Sequence, residues 1–479
     1  MATTLPTLVF VLDGLRPDSI NAEDTPTLHR LQTEGVCGVN SHAAFPTVTR
    51  VNAATIATGA HPGTHRIVGN TLYVPAIDPR RAVSTDNWKT LARIDGLVPV
   101  PTLAERLEAR GLRFAAASSG STGSGFLLNP RAPRGVGVLV NGYFEPASLV
   151  AFPAEANEKI LTRFGPAPAK GGRGERYDPI VDWTATVLRE YVLPELRPDV
   201  VIAWLTEPDH IQHALGAGSP EARAAIANDD RHVGSIVRSI EANVLVVSDH
   251  GFGVNVGTVD VARELIDGGL KLSADSEDVI VASSGQAIGL YVKDRATVPK
   301  IAAFLQSRSW IGVVFTRDGR APGTFSLDLV NALDPGGGPD ILFTFPWTSA
   351  PNAHGVRGTD VGDAASLVTS DHGSLSPWTI RNTFLAWGPA FKRGVTLRTP
   401  VGNVDVAPTV LALHGLETHG LDGRVLREAL VDGPDEEQVM VTTRTLTVDD
   451  DACAGAYRAT LQISEVDGRR YVDKGWRLP

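Results

Sequence analysis

Val244-Leu245-Val246-Val247-Ser248-Asp249-His250-Gly251 is a run of four apolar residues that stops abruptly on a polar corner. A short unbroken apolar run reads as a strand buried on both faces. The corner then falls at the carboxyl end of that strand, where α/β enzymes place their chemistry. The same tetrapeptide recurs: Leu367-Val368 precedes Ser370-Asp371-His372-Gly373. Outward from the first copy, strand patterns at Thr7–Leu12, 113–117, 199–205, Asn243–Val247 and 383–387 alternate with helical patterns at 25–35, 102–110, 179–196, 235–240 and Val406–Leu413. That alternation predicts an α/β fold, a mostly parallel central sheet flanked by helices on both faces.

With 479 residues the chain exceeds the usual single domain, so a large core with smaller additions is expected. We expect a catalytic core over residues 1–254 and 366–435. A cap subdomain is inserted at 255–365, with a strand at Ala287–Val292, a helix at 297–307 and loop-rich stretches at 336–338 and 348–362. Residues 130–178, rich in Gly, Pro and Arg, read as a long surface excursion. Residues 436–479 form a β-rich extension of short antiparallel strands with an acidic turn at Asp449-Asp450-Asp451.

Forty-four basic against 54 acidic residues give a net charge of −10, which argues against a nucleic-acid surface. Cys37 and Cys453 are the only cysteines, so there is no disulfide framework and no thiolate metal site. Apolar stretches are strand-sized, and the N-terminal run ends on Asp13 after five residues. No membrane span or signal segment is expected, and the chain reads as cytoplasmic.

Asp13 follows the first strand, with Gly14 allowing a tight turn. In Trp204-Leu-Thr-Glu-Pro-Asp209-His210-Ile-Gln-His213, Asp209 and His213 stand one helical turn apart, so they face the same way and can share a cation. His210 points elsewhere and reads as a solvent or second-layer histidine. Asp13, Asp209, His213, Asp249, His250 and His372 make three carboxylates and three imidazoles. Split between two cations, they leave positions open for a nucleophile and a substrate oxygen, the catalytic pattern. Two divalent metal ions are expected, Zn²⁺ first and Mn²⁺ as the alternative. In Phe45-Pro-Thr47-Val-Thr49-Arg50-Val-Asn52, a Thr at a helix start reads on its own as an N-cap. The functional alternative is a nucleophile activated by a metal and the helix N-terminus.

Together these segments resemble the alkaline phosphatase superfamily, most closely its nucleotide pyrophosphatase/phosphodiesterase (NPP-like) branch and the related phosphonoacetate hydrolases. The matching text is Val-Leu-Asp13-Gly, Phe-Pro-Thr-Val-Thr49, Thr58-Gly-Ala-His-Pro62, His65-Arg-Ile-Val-Gly-Asn70, Glu207-Pro-Asp209 with His213, and Ser-Asp249-His250-Gly. His372-Gly, Phe384-Leu-Ala-Trp-Gly-Pro389 and Asp405-Val-Ala-Pro-Thr409 complete it. The resemblance implies an alkaline-phosphatase-like core. It also implies that Thr49, not Thr47, is the nucleophile, and that Asn70 bonds a phosphoryl oxygen. One metal would take Asp209, His213 and His372; the other would take Asp13, Asp249, His250 and the Thr49 hydroxyl. Asp371 would be a bystander, with His354 the rival to His372. The implied reaction is hydrolysis of a phosphodiester or pyrophosphate-type bond in a small phosphorylated substrate, through a phosphothreonine.

Two departures bear on the substrate. Nucleotide-cleaving relatives place an aromatic residue directly after the nucleophile, and here that residue is Arg50, a partner either for a charged substrate group or for a surface acid. The cationic pair of phosphonoacetate hydrolases and monoesterases is replaced by Ser118-Ser-Gly-Ser-Thr-Gly-Ser-Gly125. A phosphonate hydrolase or phosphomonoesterase is therefore the alternative, and a non-catalytic binding module the third. The Cys/Ser-x-Pro-x-Arg signature of sulfatases is absent.

Overall fold

In the computed structural model, residues 5–365, 368–451 and 457–478 are described; Leu367 and Cys453 lie outside them. Thr7–Leu12 is the middle strand. It pairs in parallel with Val200–Leu205 on one side and Asn243–Val247 on the other, Val9 lying opposite both Ile202 and Leu245. Its side chains alternate between two cores: Val9 and Val11 enter one, Leu8, Phe10 and Leu12 the other. Burial on both faces is why the strand reads as an unbroken apolar run.

Beyond Val200–Leu205 the sheet continues in parallel through Phe114–Ser118 to Val138–Asn141, then ends on antiparallel Ala151–Phe152. On the other side Phe384–Trp387 joins antiparallel, followed by Val36–Gly38 and Val395–Leu397, which makes nine strands. The parallel strands share a direction, so the corners after Leu12, Ser118, Leu205 and Val247 collect at one end of the sheet. The fold is the expected α/β class with a largely parallel centre.

Some expectations need correction. Residues 130–178 are no loop: they supply Val138–Asn141 and Ala151–Phe152 to the sheet edge and the helix Ala154–Phe164. The stretch 348–362 is a hairpin, Trp347–Pro351 against Arg357–Asp363, within a four-stranded sheet shared with Gly253–Val259 and Ser370–Asp371. The expected helix 179–196 divides into Asp178–Val187 and a wider π-type segment, Leu188–Leu196, that contains Pro194. Asp449 and Asp450 belong to the strand Val441–Asp450, so only Asp451 turns.

A five-stranded sheet spans Val279–Ser284 to Ile341–Thr344, and a three-stranded antiparallel sheet spans Val441–Asp450 to Arg469–Arg477. The two share one apolar core. Phe315 and Phe343 from the first pack in the same cluster as Tyr457, Leu461 and Ile463 from the second. Among the described residues, no helix is long and apolar enough to cross a membrane.

Candidate active site

The site begins with a turn that only glycine allows. Gly14 has φ +68°, and a Cβ there would meet the Phe252 ring at 3.0 Å and the Asp209 Cβ at 3.2 Å. The Gly14 amide donates to Asp249 Oδ1 at 3.0 Å, and the Asp209 amide donates to the Asp13 carbonyl at 3.0 Å. Three strand ends are thus tied into one rim. Gly251 is equally constrained, since a Cβ would fall 2.1 Å from the Trp378 carbonyl oxygen.

All three expected histidine ligands are aimed the same way. His250 Nδ1 meets the Gly251 carbonyl at 3.0 Å, His372 Nδ1 the Thr47 carbonyl at 3.0 Å, and His213 Nδ1 the Ser370 carbonyl at 2.8 Å. Each carbonyl takes the Nδ1 proton, so each ring turns Nε2 inward, the arrangement that orients metal-binding imidazoles. His250 Nε2 lies 3.0 Å from Asp249 Oδ2 and 3.6 Å from Asp13 Oδ1. Asp209 Oδ1 lies 3.4 Å from both His213 Nε2 and His372 Nε2. Two sets, Asp13–Asp249–His250 and Asp209–His250–His372, each bring three ligand atoms within 4.8 Å of one another.

The donor set fits a cation. Asp13 Oδ1, Asp209 Oδ1 and Asp249 Oδ2 are buried and accept no hydrogen bond, a costly state for a carboxylate unless a positive charge meets it. Burial first, then the Asp249 and Asp209 charges, pushes Asp13 well above the carboxylate range. Burial would also raise Asp209, but the His213 and His372 imidazoles override it and hold that carboxyl low. Burial would lower His213, and Asp209 outweighs it, lifting the ring to about 9.

Thr49 opens the helix Thr49–Thr58. The N-cap is Val48, and no side chain caps the helix, so the cap role does not fall to Thr49. Its Oγ1 lies instead 3.3 Å from His250 Nε2. Asn52 fixes the approach by pairing with the Ala44 amide and carbonyl. Asn70 Oδ1 accepts from the Arg50 amide at 3.2 Å, which sets the amide plane beside the helix start. Thr47 faces away, its hydroxyl donating to the Ser374 carbonyl. His354 is exposed in the 347–363 hairpin and belongs to neither ligand set. Asp371 is nearer than a bystander: it groups with His213 and His372, its Oδ1 3.9 Å from His213 Nδ1.

The spacing of the sequence assigns no role to Trp204, Glu207 or Tyr177, and reads His210 as a solvent or second-layer residue. Trp204 Nε1 donates to Asp13 Oδ2 at 2.9 Å. Glu207 is fully buried, accepts from the Tyr177 and Ile211 amides, and is raised by burial to about 8. It holds the turn that presents Asp209. His210 stacks on Tyr177 with ring centroids 3.5 Å apart. A cavity of about 480 Å³ opens over Thr49, walled by Arg50, Ser119, Ser121, Tyr143, Tyr177 and His210.

The family profile described as type I phosphodiesterase / nucleotide pyrophosphatase matches residues 7–326. The chain belongs to that family. Its members are hydrolases and the family is metal-dependent, consistent with the carboxylate–imidazole groups above. A venom phosphodiesterase of Crotalus durissus collilineatus is 25% identical over 259 residues, 51% of this chain and 26% of the venom protein. Human ectonucleotide pyrophosphatase/phosphodiesterase family member 7 is 26% identical over 258 residues, 47% of its length. The chain therefore spans only about a quarter of the first of these family relatives. Murine ectonucleotide pyrophosphatase/phosphodiesterase 5, solved as an inactive variant with AMP, superposes with a TM-score of 0.62 at 16% identity, covering 89% of this chain and 100% of that one. That likeness establishes an alkaline-phosphatase-like fold.

Proposed function

We propose that this family member hydrolyses phosphodiester or pyrophosphate-type bonds of small phosphorylated molecules at a two-metal site, with Thr49 as nucleophile. The observation that carries this reading is the Thr49 hydroxyl, 3.3 Å from His250 Nε2 and flanked by two carboxylate–imidazole sets with unsatisfied buried oxygens.

Asp13, Asp249 and His250 would hold one divalent ion, and Asp209, His213 and His372 the other; the imidazole and carboxylate donors suit Zn²⁺ before Mn²⁺. When bound, such ions supply charge that lowers the pKa of a hydroxyl and offsets the charge on phosphoryl oxygens. Thr49 Oγ1, held at the N-terminus of its helix, gives up its proton to water and attacks phosphorus in line with the leaving oxygen; that P–O bond breaks as the Thr–phosphorus bond forms, and the leaving group departs with a proton from water. Asn70 presents its amide beside Thr49 to a non-bridging oxygen. Water then cleaves the phosphothreonine, releasing the phosphoryl product and restoring Thr49.

The test is hydrolysis of bis(p-nitrophenyl) phosphate by metal-replete protein, beside phosphonoacetate and p-nitrophenyl phosphate. Turnover of the diester that stops in Thr49→Ala supports the reading. Faster cleavage of phosphonoacetate would favour the phosphonate hydrolase, and no turnover of any of the three would favour a binding module.

A further inference from the structure

Arg50 follows Thr49 directly and forms part of the cavity wall, its side chain only 15% exposed. Its Nη2 donates to Ser121 Oγ at 3.1 Å and pairs with Asp86, while Nε is buried with no acceptor. The two members of the ion pair differ in standing. Arg50 is built into the wall, whereas the Asp86 side chain is 62% exposed. Asp86 recovers water when it lets go, and a second oxyanion can take its place on the buried guanidinium, so Arg50 can trade Asp86 for another oxyanion and keep Ser121.

The cavity does not favour a flat base at this point. No ring stands at position 50. Of the aromatic rings in the wall, Trp88 is packed among Phe126, Phe144 and Phe152, Tyr177 has one face covered by His210 at 3.5 Å, and Tyr143 has one covered by the Lys170 ammonium at 4.7 Å. What the wall offers near Arg50 is hydroxyl groups, from Ser119, Ser121, Thr122 and Ser124. Arg50 adjoins Thr49 in the chain and lines the same cavity as Asp13 and Asp209, which places the guanidinium within reach of the reacting centre.

We propose that Arg50 is the specificity-determining residue of this site, docking a second oxyanion of the substrate, a carboxylate or a phosphate, a few bonds from the reacting phosphorus. This rests on Thr49 marking the phosphoryl position. The preferred substrates are then hydroxylated phosphoesters with an extra negative charge, not nucleotides held by base stacking.

The test uses zinc-loaded Thr49→Ala protein and calorimetric binding of three compounds: glycerol 3-phosphate, 3-phosphoglycerate and glycerol 1,3-bisphosphate. The first two differ only by a hydroxymethyl group against a carboxylate, and the third carries a second phosphate. We expect at least one of the two compounds with a second anionic group to bind about tenfold tighter than glycerol 3-phosphate, and which one does so separates carboxylate from phosphate. Adding Arg50→Gln should abolish that preference, and adding Asp86→Asn should enlarge it. Equal affinity for all three, no binding at all, or a preference that survives Arg50→Gln and disappears with Lys170→Gln would overturn the proposal. Turnover of bis(p-nitrophenyl) phosphate by the unaltered protein reads the hydrolase assignment separately. A charge preference without turnover would uphold Arg50 and sink the hydrolase.

Discussion

The imidazoles of His250 and His372 lie face to face, ring centroids 3.6 Å apart and planes within 16°. The two Ser-Asp-His-Gly corners therefore meet at one point, and their rings turn Nε2 toward different carboxylates: Asp249 for His250, Asp209 for His372. His372→Ala should lower bound metal by about one equivalent, while His354→Ala, on an exposed hairpin, should leave it unchanged. Metal content by atomic absorption after gel filtration decides this; equal losses would return His354 to the ligand set.

Thr49→Ala should cut hydrolysis of bis(p-nitrophenyl) phosphate by at least about a thousandfold, the scale on which a lost nucleophile is felt. Metal content should hold, because Thr49 is only one donor among several. Retained turnover with full metal would move the nucleophile elsewhere.

Trp204→Phe keeps most of a buried aromatic side chain but removes the indole N–H that Asp13 Oδ2 accepts at 2.9 Å. Outer partners of metal ligands typically set affinity by about 10–100-fold. A competition titration against a chromogenic chelator should show weaker metal binding within that range, with little change in the far-ultraviolet spectrum.

Asp13, Asp209 and Asp249 repel one another without a cation, so chelation should destabilise the fold and metal should restore it. Asp13→Asn relieves part of that repulsion. Its melting temperature in EDTA should be at or above that of the unaltered protein, and its gain on adding Zn²⁺ should be smaller. An equal gain would show that Asp13 is no ligand.

His65 is fully buried, its Nδ1 accepting from the Ile67 amide and its Nε2 meeting Thr55 Oγ1, so the ring is held neutral. Burial, assisted by His61, pushes it down from 6.5 to about 3. Below pH 6.5 the unfolded chain takes up a proton that the folded chain refuses. Stability present above that pH is therefore lost as pH falls toward 3, at up to about 1.4 kcal/mol per unit from this group. His65→Gln should shrink the difference between urea midpoints at pH 7 and pH 4.5. An unchanged difference would place the acid sensitivity elsewhere, His61 being the next group, at about 4.

The candidate ligands were legible in the sequence because parallel strands are buried on both faces. An apolar run ending on Asp or His announces both the strand and its functional end. Asp13, Asp249 and His250 are of this type, while Asp209 was legible from its one-turn spacing to His213. The face-to-face rings were not legible, since His250 and His372 come together only through a sheet built between them. Trp204 looked like strand filling, and its indole contact depends on a neighbouring strand's register. The 347–363 hairpin escaped because residues 348–351 are exposed and carry no apolar alternation.

The core shared by Phe315, Phe343, Tyr457, Leu461 and Ile463 bears on how the protein is made. A chain emerging from a ribosome displays residues 279–344 well before residues 457–472, so the five-stranded sheet stays open on one side until the final strands arrive. His372 is carried between those two stretches. The nascent chain would thus hold its candidate metal ligands beside an unfinished apolar surface, and both aggregation and acquisition of metal should be decided in the interval before the last strands dock.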